Sequence, residues 1–213
     1  MTKPAPKETR SSLERQDWVD AAYKVLVQEG VGRVRVLNLA EALGITRGSF
    51  YWHFRNREEL LDELVKVWQQ KNTGALLEAC SSSADFIDRM FALVECWTNE
   101  HRYDPALDAA MRHWATQDVR ILQLVQEEDS KRLQAFQRMF EDRGVTCTEA
   151  MIRARVFYFT QVGYFALGME HTEPLVERLA LFREYYLVFT GEPVGEANEA
   201  RYQQYVGKLL HRK

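Results

Sequence analysis

Hydrogen-bond donors that suit an anionic, base-bearing partner are concentrated in residues 44–61 of this 213-residue chain. Arg47 can form a bidentate pair with guanine, and Ser49 can donate to or accept from either type of base. Further donors follow where a phosphate backbone would pass the end of a helix, at Tyr51, His53, Arg55 and Arg57. Phosphate contacts fix the register of a protein on a duplex. The pattern therefore predicts a surface that binds double-stranded DNA.

Two short helices would have to hold these donors. The first has an apolar face made of Leu39, Ala40 and Leu43, and Gly44 suits the left-handed residue that ends such a helix. Thr46 can cap the helix that follows. Two short helices joined at a fixed angle by a turn of about three or four residues place one helix in the major groove. The sequence therefore predicts a helix-turn-helix.

The aromatic residues of this segment admit two interpretations. Phe50 and Phe54 fit the core of a small three-helix unit. Tyr51 shares the expected exposed face with Arg47 and lies beside the basic cluster, so we expect it to contact phosphate. The alternative is that Tyr51 and Trp52 belong to the core as well.

A further helix is expected directly after the donors. Asn56 and Glu59 have the spacing of a capping box, and the open amide groups of that helix start could accept another phosphate. The helix carries Leu60, Leu64 and Trp68 on one side. We expect it to continue into the larger part of the chain and to link two domains.

The run Gly-Ile-Thr-Arg-Gly-Ser-Phe-Tyr-Trp-His-Phe-Arg-Asn-Arg-Glu-Glu-Leu-Leu at 44–61 resembles the DNA-reading segment of TetR-family transcriptional regulators. The resemblance covers about residues 13–65, and it includes Ala21-Ala22, Gly30 and Leu39-Ala40 upstream. It implies that bases face Arg47, Gly48 and Ser49. It also implies that phosphates face Tyr51, His53 and Arg57.

Two positions depart from the family pattern. The family commonly has Lys where this chain has Arg57, and that exchange keeps a cation. It commonly has Thr where this chain has Arg35, which removes a hydroxyl cap, although Arg35 can itself reach a phosphate. The DNA-binding residues predicted in total are Arg35, Thr46, Arg47, Gly48, Ser49, Tyr51, Trp52, His53 and Arg57.

The whole chain is predicted to be all-α, because strand-like alternation is nowhere sustained and Gly and Pro fall at helix ends. We expect a flexible arm over residues 1–12, with Ser11 and Glu14 capping the first helix. A three-helix DNA-binding domain with the helix-turn-helix follows over 13–58. A larger C-terminal helical domain for ligand binding and dimerisation is expected over 59–213.

The net charge of −3 agrees with DNA binding only when it is divided along the chain. Residues 1–60 carry 10 Lys and Arg against 8 Asp and Glu, whereas residues 61–213 carry 18 against 23. The positive excess is therefore local, and the acidic remainder argues against a nucleic-acid surface over the whole protein.

The sequence also predicts the cellular compartment of the protein. It has no uninterrupted apolar run of about 18 residues and no hydrophobic signal region at its start, so we expect a cytoplasmic protein. Cys80, Cys96 and Cys147 are an odd number without Cys-x-x-Cys spacing. Three reduced thiols are therefore expected.

Two helices near the end of the chain carry more apolar surface than one contact face needs. After Pro174, apolar residues recur at heptad-like steps, and Gly163 with Ala166 would let another helix approach closely. We expect a four-helix homodimer interface, which a two-fold DNA site requires and the resemblance also implies. The alternative is a helix pair inside one subunit. The expected interface residues are Phe159, Val162, Gly163, Ala166, Leu175, Leu179, Phe182 and Tyr186.

TetR-like regulators use the larger domain to bind a small molecule that weakens DNA binding. The middle helices contribute an aromatic and polar mixture that could line a pocket of drug-like size. The effector-binding residues predicted here are Trp97, His101, Met111, Trp114 and Tyr158, with His101 as a polar anchor. The alternative is that these aromatic residues are plain core.

No metal, cofactor or catalytic site is predicted. His101 and His113 lack a third ligand at useful spacing, and the sequence has no glycine-rich phosphate loop or nucleophile elbow. We therefore expect no enzyme but a dimeric, sequence-specific transcriptional regulator, acting as a repressor that a small organic effector releases from a palindromic DNA operator. The alternatives are an effector-independent helical DNA-binding structural protein and a helical enzyme or carrier.

Overall fold

Helices make up all the regular structure in residues 13–211, which are the residues that the computed structural model describes. The all-α prediction is confirmed. The predicted arm over residues 1–12 and the cap at Ser11 lie outside the described residues. In chain order the α-helices are α1 Arg15–Glu29, α2 Val36–Leu43, α3 Arg47–Phe50, α4 Arg57–Trp68, α5 Ala75–Ser81, α6 Phe86–Thr98, α7 Pro105–Ala115, α8 Val119–Glu141, α9 Cys147–Ala166, α10 Leu175–Ala180, α11 Phe182–Thr190 and α12 Glu196–Leu210. A π-helical segment, Gln69–Gly74, connects α4 to α5.

Two compact units divide between Val67 and Trp68. We call residues 13–67 the head and residues 68–211 the body. The division falls later in the chain than the predicted boundary at 58/59. Arg15 of α1 explains part of the difference, because its Nη2 lies 3.2 Å from Glu59 Oε1 and 3.3 Å from Glu63 Oε1. These ion pairs attach the first turns of α4 to the head.

Aromatic rings form the centre of the head. Trp18 meets Phe50 edge to face at a centroid distance of 5.2 Å, and Phe50 stacks on Phe54 at the same distance. All three side chains are buried, together with Leu39 and Ala40 of α2. Burial of each large apolar side chain contributes about 1.5–3 kcal/mol. The head core therefore holds α1, α2 and α3 in a fixed relation, as expected for Phe50 and Phe54.

The body is built around α8 and α9, with α7 against α8 and α5 against α6. Its helix starts are well capped, because a side-chain oxygen accepts from a backbone amide of the first turn at four of them. The capping residues are Asp85, Asp104, Asp118 and Thr146. These caps explain why short polar residues interrupt an otherwise apolar helical pattern.

A cluster of four charged side chains and one tyrosine lies within the body. Arg132 Nη1 donates to Asp108 Oδ1 at 3.0 Å, and both side chains are buried. Arg112 donates to both carboxylate oxygens of Asp129 at 2.8 and 2.7 Å. The Tyr158 hydroxyl donates to Asp129 Oδ1 at 2.6 Å and accepts from Arg112 and Arg132. Arg112 and Asp129 keep about a quarter of their side-chain surface exposed, and their pairing with the buried Arg132 and Asp108 balances the buried charges.

The helix predicted after Pro174 is interrupted at Leu181, so it forms α10 and α11. Leu179, Phe182 and Tyr186 point into the body and are buried. Phe182 stacks on Tyr202 of α12 with a centroid distance of 4.0 Å. The heptad-like seam of Leu179, Phe182 and Tyr186 packs inside the body, so the predicted interface role of these three residues does not agree with their positions.

Candidate functional site

The head presents its polar residues on a tight turn between α2 and α3. Gly44 adopts the left-handed conformation, with φ 67° and ψ 34°, and its amide donates back to Ala40 and Glu41 at the end of α2. A residue with a Cβ rarely adopts this conformation, so glycine allows the chain to turn directly into α3.

Thr46 occupies the N-cap position of α3, but its hydroxyl makes no capping hydrogen bond. The backbone oxygen of Thr46 instead accepts from the amide of Ser49 at 3.1 Å. The expectation that the Thr46 hydroxyl caps α3 was therefore wrong. The side chain is exposed and remains available to a partner.

The residues predicted to meet DNA lie along and just after α3. Arg47 and Gly48 are exposed, and Ser49 and His53 are half-buried. Tyr51 is 63% exposed and Trp52 is 88% exposed. The alternative that Tyr51 and Trp52 belong to the core does not agree with this exposure. The arrangement gives a polar and aromatic surface over an aromatic core.

The two arginines that depart from the family pattern differ in environment. Arg35 is exposed at the N-cap of α2, and its Nε donates to the backbone oxygen of Gly32 at 2.9 Å. Arg57 is half-buried and directs Nε to the backbone oxygen of Val34 and Nη2 to that of Val31, the latter at 2.7 Å. Arg57 therefore braces the segment before α2. The phosphate contact predicted for Arg57 stays a prediction. It would involve the part of the guanidinium that these two hydrogen bonds do not use.

The start of α4 is capped as its sequence indicates, because the amide of Glu59 donates to Asn56 Oδ1 at 2.9 Å. The carboxylate of Glu59 accepts from the amide of Arg55 at 2.9 Å rather than closing the box on Asn56. Hydrogen bonds from the backbone and side chain of Arg55 lower the pKa of Glu59. Glu59 therefore holds the basic residues before α4 in place.

Comparison with known proteins decides the family. Residues 19–64, most of the head, match the family described as bacterial regulatory proteins, tetR family. The head of the chain belongs to this family over these residues. It is 34% identical over 87 residues to the HTH-type transcriptional regulator TtgR of Pseudomonas putida, and the match covers 41% of this chain and 38% of TtgR. A longer match of 178 residues, 26% identical, joins 79% of this chain to 72% of the tetracycline repressor protein class D of Escherichia coli.

Two solved structures of regulators share the fold over most of the length of this chain. The ketosteroid transcriptional regulator KstR2 of Mycobacterium tuberculosis matches with a TM-score of 0.61 at 14% identity, covering 88% of this chain and 98% of KstR2. The fatty acid degradation regulator FadR of Bacillus halodurans matches with a TM-score of 0.58 at 18% identity, covering 87% and 97%. At these identities the likeness concerns the fold.

The body contains a partly open cavity of about 100 Å³. It lies among α6, α9, α10, α11 and α12. Its wall is largely aromatic and includes Trp97, Phe157, Phe182, Tyr185, Tyr186 and Phe189. Polar groups come from α9 and α10, chiefly Gln161 and Arg178. Sequence reasoning missed those two residues, although the apolar steps after Pro174 already indicated that this helix packs against others.

Of the five predicted effector residues, Trp97 alone lines this cavity. His101 is exposed after α6, with its backbone amide donating to Asn99 Oδ1 at 3.0 Å. Met111 and Trp114 are buried core residues of α7. Tyr158 is occupied by the charged cluster, and burial is the largest cause that raises its pKa. The effector assignments of His101, Met111, Trp114 and Tyr158 therefore do not agree with their positions.

Several apolar side chains of α9, α10 and α11 are exposed. Ile152, Val156 and Val188 line one open groove and are exposed. Phe159 and Val176 are exposed as well. Of the remaining predicted interface residues, Ala166 is exposed, and Val162, Gly163 and Leu175 are half-buried. We call the five exposed residues Ile152, Val156, Phe159, Val176 and Val188 the apolar strip.

The remaining chemical groups offer little reactivity. All three cysteines are free. Burial raises the pKa of the Cys80 thiol to about 12 and that of Cys96 to about 11, and a hydrogen bond with Glu141 raises the pKa of Cys147. Within residues 13–211 there is no cluster of His, Cys, Asp and Glu that could hold a metal ion. None of the described helices is long and apolar enough to cross a membrane.

Proposed function

We propose that this TetR-family chain is a dimeric, sequence-specific DNA-binding transcriptional regulator, and that it is a repressor released from its operator by a small organic effector. The observation that carries the proposal is the surface of α3. Arg47, Gly48, Tyr51 and Trp52 are exposed there, while Phe50 on the same short helix is buried in the head core. A rigid core beneath exposed donors is what base recognition in the major groove needs.

Dimerisation is supported by the apolar strip on the body. Three of its residues, Ile152, Val156 and Val188, line one groove, and contiguous exposed apolar surfaces mark contacts with other proteins. A second copy related by a two-fold axis would bury each strip against its equivalent. Two heads would then meet two half-sites of a palindromic duplex, whose centres are separated by about one helical turn or a multiple of it.

The effector is supported by the cavity in the body. An accessible, largely aromatic cavity with a few polar groups is the usual form of a small-molecule site. A solid body core would have favoured a DNA-binding structural protein without an effector. For release, the effector must bind the DNA-free state more tightly, because equal affinity for both states shifts nothing. With duplex DNA as its partner, we expect the protein to work in the bacterial cytoplasm.

The test of DNA recognition begins with selection of preferred sites from a random duplex pool by the full chain. Arg47→Ala is then compared with the unmodified protein on the selected site and on random DNA, with affinity measured by fluorescence anisotropy. We expect a loss of about 1–3 kcal/mol on the selected site, a relaxed base preference and little change on random DNA.

Arg138→Ala serves as the control, because Arg138 is exposed on α8 of the body. Like Arg47→Ala, this substitution removes one positive charge. It should leave both affinities unchanged. Equal weakening on selected and random DNA by Arg47→Ala would reject base recognition by Arg47. Absence of any selected sequence would reject sequence-specific regulation altogether.

A further inference from the structure

The body cavity has an aromatic wall and a polar end. The side chains of these two parts differ in whether their contacts within the chain are complete. The wall is already packed, since Phe157 meets Phe189 at a centroid distance of 4.9 Å and Trp97 at 5.2 Å. The polar end comprises Gln161 of α9 and Arg178 of α10, because the Arg178 guanidinium lies over the ring of Tyr164, about one helical turn along α9 from Gln161. The Gln161 amide at this end lacks an acceptor.

Gln161 carries a buried donor. Its Nε2 is removed from solvent and has no hydrogen-bond partner within the described part of the chain. A buried amide left unpaired is unfavourable, because it has lost its hydrogen bonds to water without replacing them. A ligand that offers an acceptor at this point would recover that cost.

Arg178 lies at the same end with its charge only loosely balanced. Its guanidinium stacks over the rings of Tyr164 and Phe165, at 4.1 and 5.6 Å from their centroids. Among residues 13–211 no carboxylate comes within 4.0 Å of it, although Glu170 and Glu173 attract it from farther away. Burial lowers the pKa of Arg178, as expected for a cation withdrawn from water. An arginine in this position can bind a carboxylate in bidentate fashion.

We propose that the cavity binds a ring-bearing monocarboxylate, with the ring among the aromatic side chains and the carboxylate accepting from Gln161 and Arg178. This inference rests on the proposed effector function and names the ligand's chemical class. An engineered cavity of about 150 Å³ holds benzene, so about 100 Å³ suits part of one ring, with the remainder in the open mouth. The nearby Glu170 and Glu173 disfavour a doubly charged group such as a phosphate monoester.

The test measures ligand binding to the full chain without DNA, by isothermal titration calorimetry. The probes are phenylacetate, phenylacetamide and phenyl phosphate, which share one ring and differ in the polar group. We expect phenylacetate to bind at least tenfold more tightly than either of the others. Gln161→Leu should weaken binding of both the acid and the amide, because each presents a carbonyl acceptor to Nε2.

Arg178→Met keeps an unbranched apolar stem over Tyr164 and removes the charge. It should weaken phenylacetate at least tenfold and leave phenylacetamide unchanged. Arg138→Met removes the same charge from an exposed position on α8 and should change neither. Thermal unfolding of each variant shows whether the body is intact.

Equal binding of acid and amide, or an Arg178→Met variant that binds the acid as well as the unmodified protein does, would overturn the inference. Phenyl phosphate binding as tightly as phenylacetate would also overturn it. Because DNA is absent from this assay, failure here leaves DNA recognition by the head unaffected. An acid that binds but does not change DNA affinity would instead reject effector release.

Discussion

Arg57 is the residue whose observed contacts differ most from those predicted from the sequence. Family resemblance directs it to phosphate, whereas the structure shows Nε and Nη2 donating to the backbone oxygens of Val34 and Val31. Charge-assisted hydrogen bonds contribute about 1.5–3 kcal/mol each when fully formed, and partial exposure reduces that. The side chain therefore supports the segment from which α2 starts.

We predict that Arg57→Ala lowers the free energy of unfolding by about 1–2 kcal/mol in urea titration. Arg57→Lys should also be destabilised, because a single ammonium group cannot hold both oxygens in the fork geometry. It should nevertheless keep the salt dependence of DNA binding, since the charge remains.

Arg55→Ala is the matched control in the same segment. The Arg55 side chain is 88% exposed and pairs with Glu59 at the surface, so its loss should change stability by less than about 0.5 kcal/mol. If the Arg57 and Arg55 variants unfold at the same urea concentration, the bracing role of Arg57 is rejected.

The charged cluster of the body belongs to the scale of elements, because it joins α7, α8 and α9. Burial acts to raise the pKa of Asp108, but the charges of Arg132 and Arg112 and a hydrogen bond from Trp68 outweigh it and lower the pKa overall. Asp108 therefore favours the folded state while it is ionised. Its contribution is complete above the unfolded pKa of about 4 and is lost as the pH falls through the lower folded value.

We predict that Asp108→Asn is destabilised by about 3–5 kcal/mol at pH 7, because Arg132 loses the carboxylate that balances it. The difference from the unmodified protein should shrink as the pH falls below about 4. Urea unfolding from pH 7 to pH 3 measures it. Asp20→Asn, at an exposed position of α1, should change stability by less than about 0.5 kcal/mol. If the difference in unfolding free energy between the unmodified protein and Asp108→Asn stays constant from pH 7 to pH 3, the stabilising role of the ionised Asp108 is contradicted.

The apolar strip gives a prediction for α9, α10 and α11. Val188→Asp should dissociate the proposed dimer, raising its dissociation constant at least tenfold in analytical ultracentrifugation. A two-fold interface would contain two copies of the new charge, each desolvated on association.

Val119→Asp is the matched control, since Val119 at the start of α8 is 72% exposed and Val188 is 70% exposed. It should leave the assembly state unchanged. A Val188→Asp variant that remains dimeric at the same concentrations would reject the strip as the interface.

The elements themselves could be predicted well from the sequence. Asp104, Asp118 and Thr146 mark helix starts by local chemistry that needs no knowledge of the partner surfaces. The seam through Leu179 and Phe182 could not be assigned in the same way. Its spacing shows which face of the helix is apolar, but a face can be buried by its own subunit or by another. That the seam is buried by its own subunit became apparent only from the fold.

At the scale of the whole molecule, long-range contacts limit prediction. The head could be recognised because its donors are contiguous at 44–61, and Phe50 and Phe54 lie among them. The polar end of the cavity combines Gln161 and Arg178 from two helices, and neither stands in a pattern that indicates a ligand. The boundary at Val67 depends on ion pairs between Arg15 and residues of α4 far along the chain.

The five tryptophans of the chain are distributed unequally between interior and surface. Trp18, Trp68, Trp97 and Trp114 are buried, whereas Trp52 is almost fully exposed just after α3. A water-borne collisional quencher such as acrylamide therefore reaches one indole far more readily than the other four. The quenchable fraction of the intrinsic fluorescence is thus an optical label, supplied by the chain itself, on the surface proposed to meet DNA.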